Sequence, residues 1–183
     1  MKKTVLSFGL LSGLIIILYS FVVFLVFGDF SKMNSADFQK VEMLGYLRYI
    51  ILLLTVIFAV RYFKKQNGGV GSFRSLFLAG VYTVLVVALL VGIMEMVYMY
   101  MNPGFMEQYA EITSKRMMEQ GASAEKMAAY KKEMEQYKWM ASPVGMGIFY
   151  FFETAVLGTI MSLIVALFAR TKNATSKFTS VSV

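Results

Sequence analysis

Three charged residues sit where an apolar chain accommodates them least. Arg48, Glu95 and Glu153 each fall inside a long hydrophobic run, and Glu153 is the lone Asp, Glu, Lys or Arg between Pro143 and Ala169. Inside a bilayer such groups turn toward the bundle interior or a watered cavity, pair with each other, or mark an ion or proton path. One Arg between two Glu leaves an excess carboxylate unless one is protonated, which is the chemistry of a cation or proton site. A structural pairing, with Arg48 snorkelling outward, is the plainer reading of the same residues. An acid and base pair acting on lipid is a third use of Glu95 and Glu153. It ranks last, because the loops offer no nucleophile or phosphate cradle beyond ordinary Ser, Thr and Arg, so no catalytic residue is assigned and the protein is read as a non-enzyme.

The elements that carry these residues follow from composition. The chain has 183 residues, 58% of them hydrophobic, 16% charged, and a mean hydropathy of +0.63. That is too apolar for a soluble domain of this length. With no Cys and no His, disulfides, thiol nucleophiles, the usual zinc sites and His-based triads are excluded. Crossing ~30 Å of hydrocarbon takes about 20 apolar residues in a helix, and four stretches qualify: about 5–27, 43–63, 76–101 and 144–169. The expected fold is all-α, a single membrane domain over 1–183 built as a four-helix bundle, with a helical hairpin over 103–142 between spans 3 and 4. At ~1.5 Å per residue, Arg48 lies about 7 Å, Glu95 about 9 Å and Glu153 about 9 to 15 Å inside the ends of their spans that face this hairpin.

Charge sets the orientation. Lys2, Lys3, Arg61, Lys64, Lys65, Arg74, Arg170, Lys172 and Lys177 share one side of the membrane with no acid among them. On the other side Lys32 and Lys40 meet Asp29, Asp37 and Glu42, and the long loop balances six basic against six acidic residues. The positive-inside rule therefore predicts cytoplasmic termini in a bacterial inner membrane. The net charge of +7 is accounted for by anionic lipid, without nucleic acid. The first span is read as an uncleaved anchor, since its apolar run is longer than a signal peptide's and Gly28-Asp29-Phe30-Ser31 offers no small-x-small cleavage site.

Within the long loop, Pro103 suits a helix start, Gly121 a break, Ser123 a cap and Pro143 the entry to the last span. Met127, Tyr130, Met134 and Tyr137 recur at helical spacing and form one apolar stripe. It packs on the first hairpin helix and the membrane surface, with Tyr137 and Trp139 at the headgroups, or it receives an envelope protein partner, a role to which flexible methionines are suited. Eleven of fifteen methionines lie between Met94 and Met146, which raises the question of a copper site. In a helix Met94 and Met96, or Met99 and Met101, diverge by about 200°, so no metal is assigned, and no cofactor either. "NGGVGSFR", Asn67 to Arg74, lacks the strand and the GK[ST] ending of a phosphate loop and is read as a tight turn. Small residues mark helix contacts: Gly9 with Gly13, Ala88 with Gly92, and a seam of Ala155, Gly158, Ser162, Ala166 and Ala169. Glu153 lies roughly opposite that seam, so the last span needs partners on two sides, within the bundle or in a second copy of the chain.

With "MKKTVLSFGLLSGLI", "GGVGSFRSLFLAGV", "YMYMNPGFMEQY", "MSLIVALFARTK" and the "GASAEKM" hairpin in view, the chain resembles the domain of unknown function 4199 family, four-span integral membrane proteins found mainly in Bacteroidetes. The resemblance covers nearly the whole chain. It implies the topology and the membrane location, and it supplies no catalytic residue. Two functional readings follow from the residues: a non-enzymatic, structural or partner-binding membrane protein working through its hairpin, or a small oligomeric transporter or channel using Glu95 and Glu153 with Arg48.

Overall fold

The computed structural model describes residues 2–27 and 33–171. Asp29, Lys32, the Gly28 to Ser31 stretch weighed for cleavage, Lys172 and Lys177 lie outside the described residues. Within them every regular element is helical: α1 (Lys2–Phe27), α2 (Ser35–Gly45), α3 (Leu47–Gln66), α4 (Phe73–Met101), α5 (Phe105–Glu119), α6 (Ala124–Gln136), a 3-10 turn (Lys138–Ala141) and α7 (Pro143–Ala169). Four helical stretches are long and apolar enough to cross a membrane: Lys2–Phe27, Ala36–Gln66, Phe73–Met101 and Pro143–Ala169.

The second stretch starts earlier than its hydropathy implies. Asp37, Lys40 and Glu42 depress the apolar signal, yet Asn34 caps the helix by accepting a hydrogen bond from the Asp37 amide at 2.8 Å. The chain then passes Tyr46 with helical angles (φ −69°, ψ −21°) and runs on as α3. At the other loop, Gly68 and Gly69 adopt φ of +66° and +79°, conformations open to glycine, and Ser72 caps α4. "NGGVGSFR" is thus a turn, closed by the Thr171 amide donating to the Gly71 carbonyl at 3.0 Å.

In lipid there is no hydrophobic force to press helices together, so close packing and internal hydrogen bonds must do it. α4 is the central element, contacting α1, α3 and α7. Gly9 and Gly13 bring α1 onto Thr83, Val86 and Leu90 of α4. Between α1 and α3, Thr55 donates to the Ser12 hydroxyl at 2.7 Å and Thr4 donates to Gln66 at 2.8 Å. The seam on α7 faces α4, with Gly158 on Val84 and Ser162 on Gly80. Backbone meets backbone at Gly92 and Gly147, where a Cβ on either would stand 2.8 Å from the other's carbonyl oxygen. Both sides of α7 therefore find partners within one chain: the seam on α4 and the Glu153 side on α3.

The remaining faces are apolar and outward. Leu18 and Phe152 are 64% and 60% exposed well inside their helices, a surface that hydrocarbon covers and water would not. The core, by contrast, holds Ile16, Leu52, Val56, Val60, Val84 and Val87 at 2% exposure or less. Gly92→Ala is expected to cost about 1–3 kcal/mol, because the new methyl meets backbone that cannot step aside. Gly45→Ala, where an added Cβ meets nothing within 4 Å, serves as the control. Unfolding midpoints measured in one mild detergent check this, and equal midpoints for the two variants would contradict the packing.

Candidate functional site: an ion cluster beneath an apolar cavity

Arg48 enters from α3 near its start, and the guanidinium reaches two neighbouring helices. Its Nη1 lies 3.6 Å from Glu95 Oε1 on α4, and its Nη2 lies 3.1 Å from Glu153 Oε2 on α7. The same Nη2 donates to the Tyr49 hydroxyl at 2.7 Å, and that hydroxyl donates onward to Glu153 Oε1 at 2.6 Å. Rings of Tyr49 and Tyr150 flank the guanidinium carbon at 4.8 and 4.5 Å, close enough for cation–π attraction. All three charged side chains are largely withdrawn from the surface, 16% to 25% exposed.

The two carboxylates are held unequally. Glu153 receives two hydrogen bonds, from Arg48 and from Tyr49. Glu95 receives none among the described residues, and meets Arg48 at ion-pair distance alone. The cause is the helix geometry. Gly92 and Gly147 press the antiparallel α4 and α7 together, with Glu95 one turn from this contact on the side of α5 and α6 and with Tyr150 and Glu153 on its other side, so Arg48 spans the contact and is drawn toward Glu153 by Tyr49.

Glu95 is also the carboxylate that a cavity reaches. A space of about 410 Å³ opens between α1 and α4 in the half of the bundle nearer α5 and α6. Its walls include Phe21, Phe24 and Phe27 of α1, Val97 and Met101 of α4, and Phe105 of α5, with Ser20, Glu95, Tyr98, Asn102 and Tyr150 as its polar lining. The cavity exists because α1 touches α4 through Gly9 and Gly13 lower down and stands off above, where Phe24 bridges to Tyr98 edge-on at 5.4 Å.

The long loop is placed differently from a self-contained hairpin. α5 and α6 are joined by a turn at Gly121 (φ +73°), but α5 docks on α2, with Phe38 edge-on to Tyr109 at 5.4 Å and Arg116 paired to Glu42. Burial, with Glu42 and Tyr130 close by, raises the Tyr109 hydroxyl above its ordinary range. Met127, Tyr130 and Met134 are half-buried while the rest of α6 is largely exposed, and Tyr137 is 43% exposed. The stripe thus turns its first three residues inward, with Tyr130 near Tyr109, and leaves Tyr137 and Trp139 outside. Arg48, Glu95 and Glu153 converge; the stripe stands apart from them. Tyr49 and the aromatic cavity wall add to what the sequence singled out.

A family model described as "Protein of unknown function (DUF4199)" matches residues 7–171. No curated protein and no solved structure matches the chain.

Removing the shared cation strands two carboxylates, so Arg48→Gln is expected to destabilise the fold by about 3–5 kcal/mol, and adding Glu153→Gln to recover part of that loss. Arg48→Lys should not substitute for Arg, because a compact ammonium cannot engage carboxylates on two helices through separate nitrogens. Double-mutant unfolding in detergent measures the coupling; simple additivity would contradict the cluster.

Proposed function

The chain belongs to the DUF4199 family, and from its geometry we propose that it is a membrane protein without catalytic activity that binds a small ligand at the Glu95 end of the Arg48, Glu95 and Glu153 cluster. The observation that carries the reading is the cavity, whose lining includes the one carboxylate of the cluster that has no hydrogen-bond donor among the described residues. A volume of 410 Å³ falls within the range of about 300–1,000 Å³ in which proteins hold small molecules, and apolar walls with few polar groups are the usual composition of such sites.

The transporter reading shares these residues and asks more of them. Between the cluster and the end of the bundle that carries the N-terminus, Ile16, Leu52, Val56, Val60, Val84 and Val87 fill the interior, so passage would require helices to part. One-sided binding requires no such step. Its side follows from charge: Lys2, Lys3, Lys64, Lys65, Arg74 and Arg170 gather at the terminal end, which favours cytoplasmic termini in a bacterial inner membrane and a cavity open toward the extracytoplasmic half. Partner binding through the α6 stripe draws less support, since Met127, Tyr130 and Met134 face the protein itself.

Ser20 lines the cavity, and Ser20→Trp fills it. Native mass spectrometry of the protein released from mild detergent is expected to show a small molecule retained by the wild type and absent from Ser20→Trp. Identical spectra for the two, with both proteins folded, would sink the reading.

A further inference from the structure

The lining of this cavity specifies the chemistry of what it holds. We propose that the ligand is an amphipathic amine: an apolar chain or ring ending in an ammonium group, with the ammonium seated on Glu95 and the apolar body lying between α1 and α4. The proposal rests on the reading of the cavity as a binding site and deepens it.

Charge is the first argument. Arg48 supplies one positive charge to two carboxylates, and its short contacts go to Glu153 and Tyr49. Glu95 is left with a 3.6 Å ion pair and unused acceptor capacity facing the cavity. An ammonium there makes two cations for two carboxylates and donates the hydrogen bonds that Glu95 lacks. An anionic ligand would meet the excess charge of the same sign, and a bare alcohol would leave it uncompensated.

The aromatic groups are the second argument. Tyr98 and Tyr150 line the cavity together with Glu95, and aromatic rings beside a carboxylate are how proteins recognise alkylammonium groups; with Arg48 on the Tyr150 ring, Tyr98 is the ring left for the ligand. The rest of the wall is mainly apolar, Phe21, Phe24, Phe27 and Val97 among it, with Ser20 and Asn102 as neutral polar groups and no second charged side chain among the described residues. Its mouth explains the amphipathic character. Phe21 and Val97 are 56% and 48% exposed on faces that meet lipid, so the cavity opens sideways into the bilayer, from which a molecule with an apolar body can enter. The volume suits a single chain and is small for a two-chain phospholipid.

The test uses the full chain in phosphatidylcholine nanodiscs, with empty discs subtracted, and radiolabelled dodecylammonium as the probe. Dodecanol, dodecanoate, methylammonium and phosphatidylethanolamine serve as competitors. Saturable binding is expected, displaced by unlabelled dodecylammonium but not by dodecanol, dodecanoate or methylammonium at the same concentration. Glu95→Gln should weaken dodecylammonium by about tenfold or more. Displacement by phosphatidylethanolamine instead would assign the ammonium to a lipid headgroup and overturn the single-chain form. Equal binding of dodecylammonium and dodecanol, both lost in Ser20→Trp, would overturn the amine while leaving a binding cavity. Absence of binding by every probe would overturn both. Should Glu95→Gln fail to fold, Tyr98→Leu, which removes an aromatic wall and no charge, is expected to weaken dodecylammonium several-fold; unchanged binding would count against the proposal.

Discussion

A guanidinium that cannot be deprotonated must be neutralised wherever the chain puts it, and here the chain puts it inside an apolar bundle. Arg48 answers that demand by drawing on α4 and α7 at once, with Tyr49 completing its contacts on α3. The arrangement fixes how these three helices are rotated about their own axes, because a turn of any one would carry its charged group into lipid. A buried ion pair is weak evidence of net stability, so the cluster is better understood as a constraint on register than as the source of cohesion. Cohesion comes from the packing around and below it, where Gly92 meets Gly147, Val84 meets Gly158 and Gly80 meets Ser162.

The bundle is consequently two different materials along its length. Toward the termini, small side chains and Val, Leu and Ile close the interior, and Lys64 donates to the Ala169 carbonyl at 2.7 Å to tie α3 to the end of α7. Toward α5 and α6, aromatic rings hold the helices apart, as Phe24 does against Tyr98 and Tyr98 against Phe105 at 5.3 Å. Rings fill space less completely than interlocked small residues do when the helices stand at a wider spacing. The cavity is the remainder.

Much of this was present in the sequence. Hydropathy located the four spans, and depth counting put Arg48, Glu95 and Glu153 in the same layer, because a charge in a hydrocarbon run has few alternatives. Gly9, Gly13 and the α7 seam were recognisable as contact faces on the same grounds. Tyr49 was missed because residues i and i+1 point about 100° apart on a helix, and a long Arg side chain can curl back across that angle. Asn34 and Asp37 carried a capping signal for α2 that the charged residues around them obscured in the hydropathy. The placement of the α6 stripe was not readable, since periodicity shows that a helix has an apolar face without showing what covers it. The cavity was least readable of all. It depends on the spacing between α1 and α4, a property of two separated segments that no local pattern encodes.

Chain order gives the ion cluster a history. Arg48 precedes both of its carboxylates, by 47 residues for Glu95 and by 105 for Glu153. While the chain is being made, Arg48 emerges with Tyr49 as the one member of its final set of contacts already beside it. α4 brings the first counter-charge and α7, last to arrive, brings the second, with its well-bonded carboxylate. Of the four described spans, α7 is therefore the last to be made, and the carboxylate that hydrogen-bonds Arg48 exists only once α1, α3 and α4 have been synthesised.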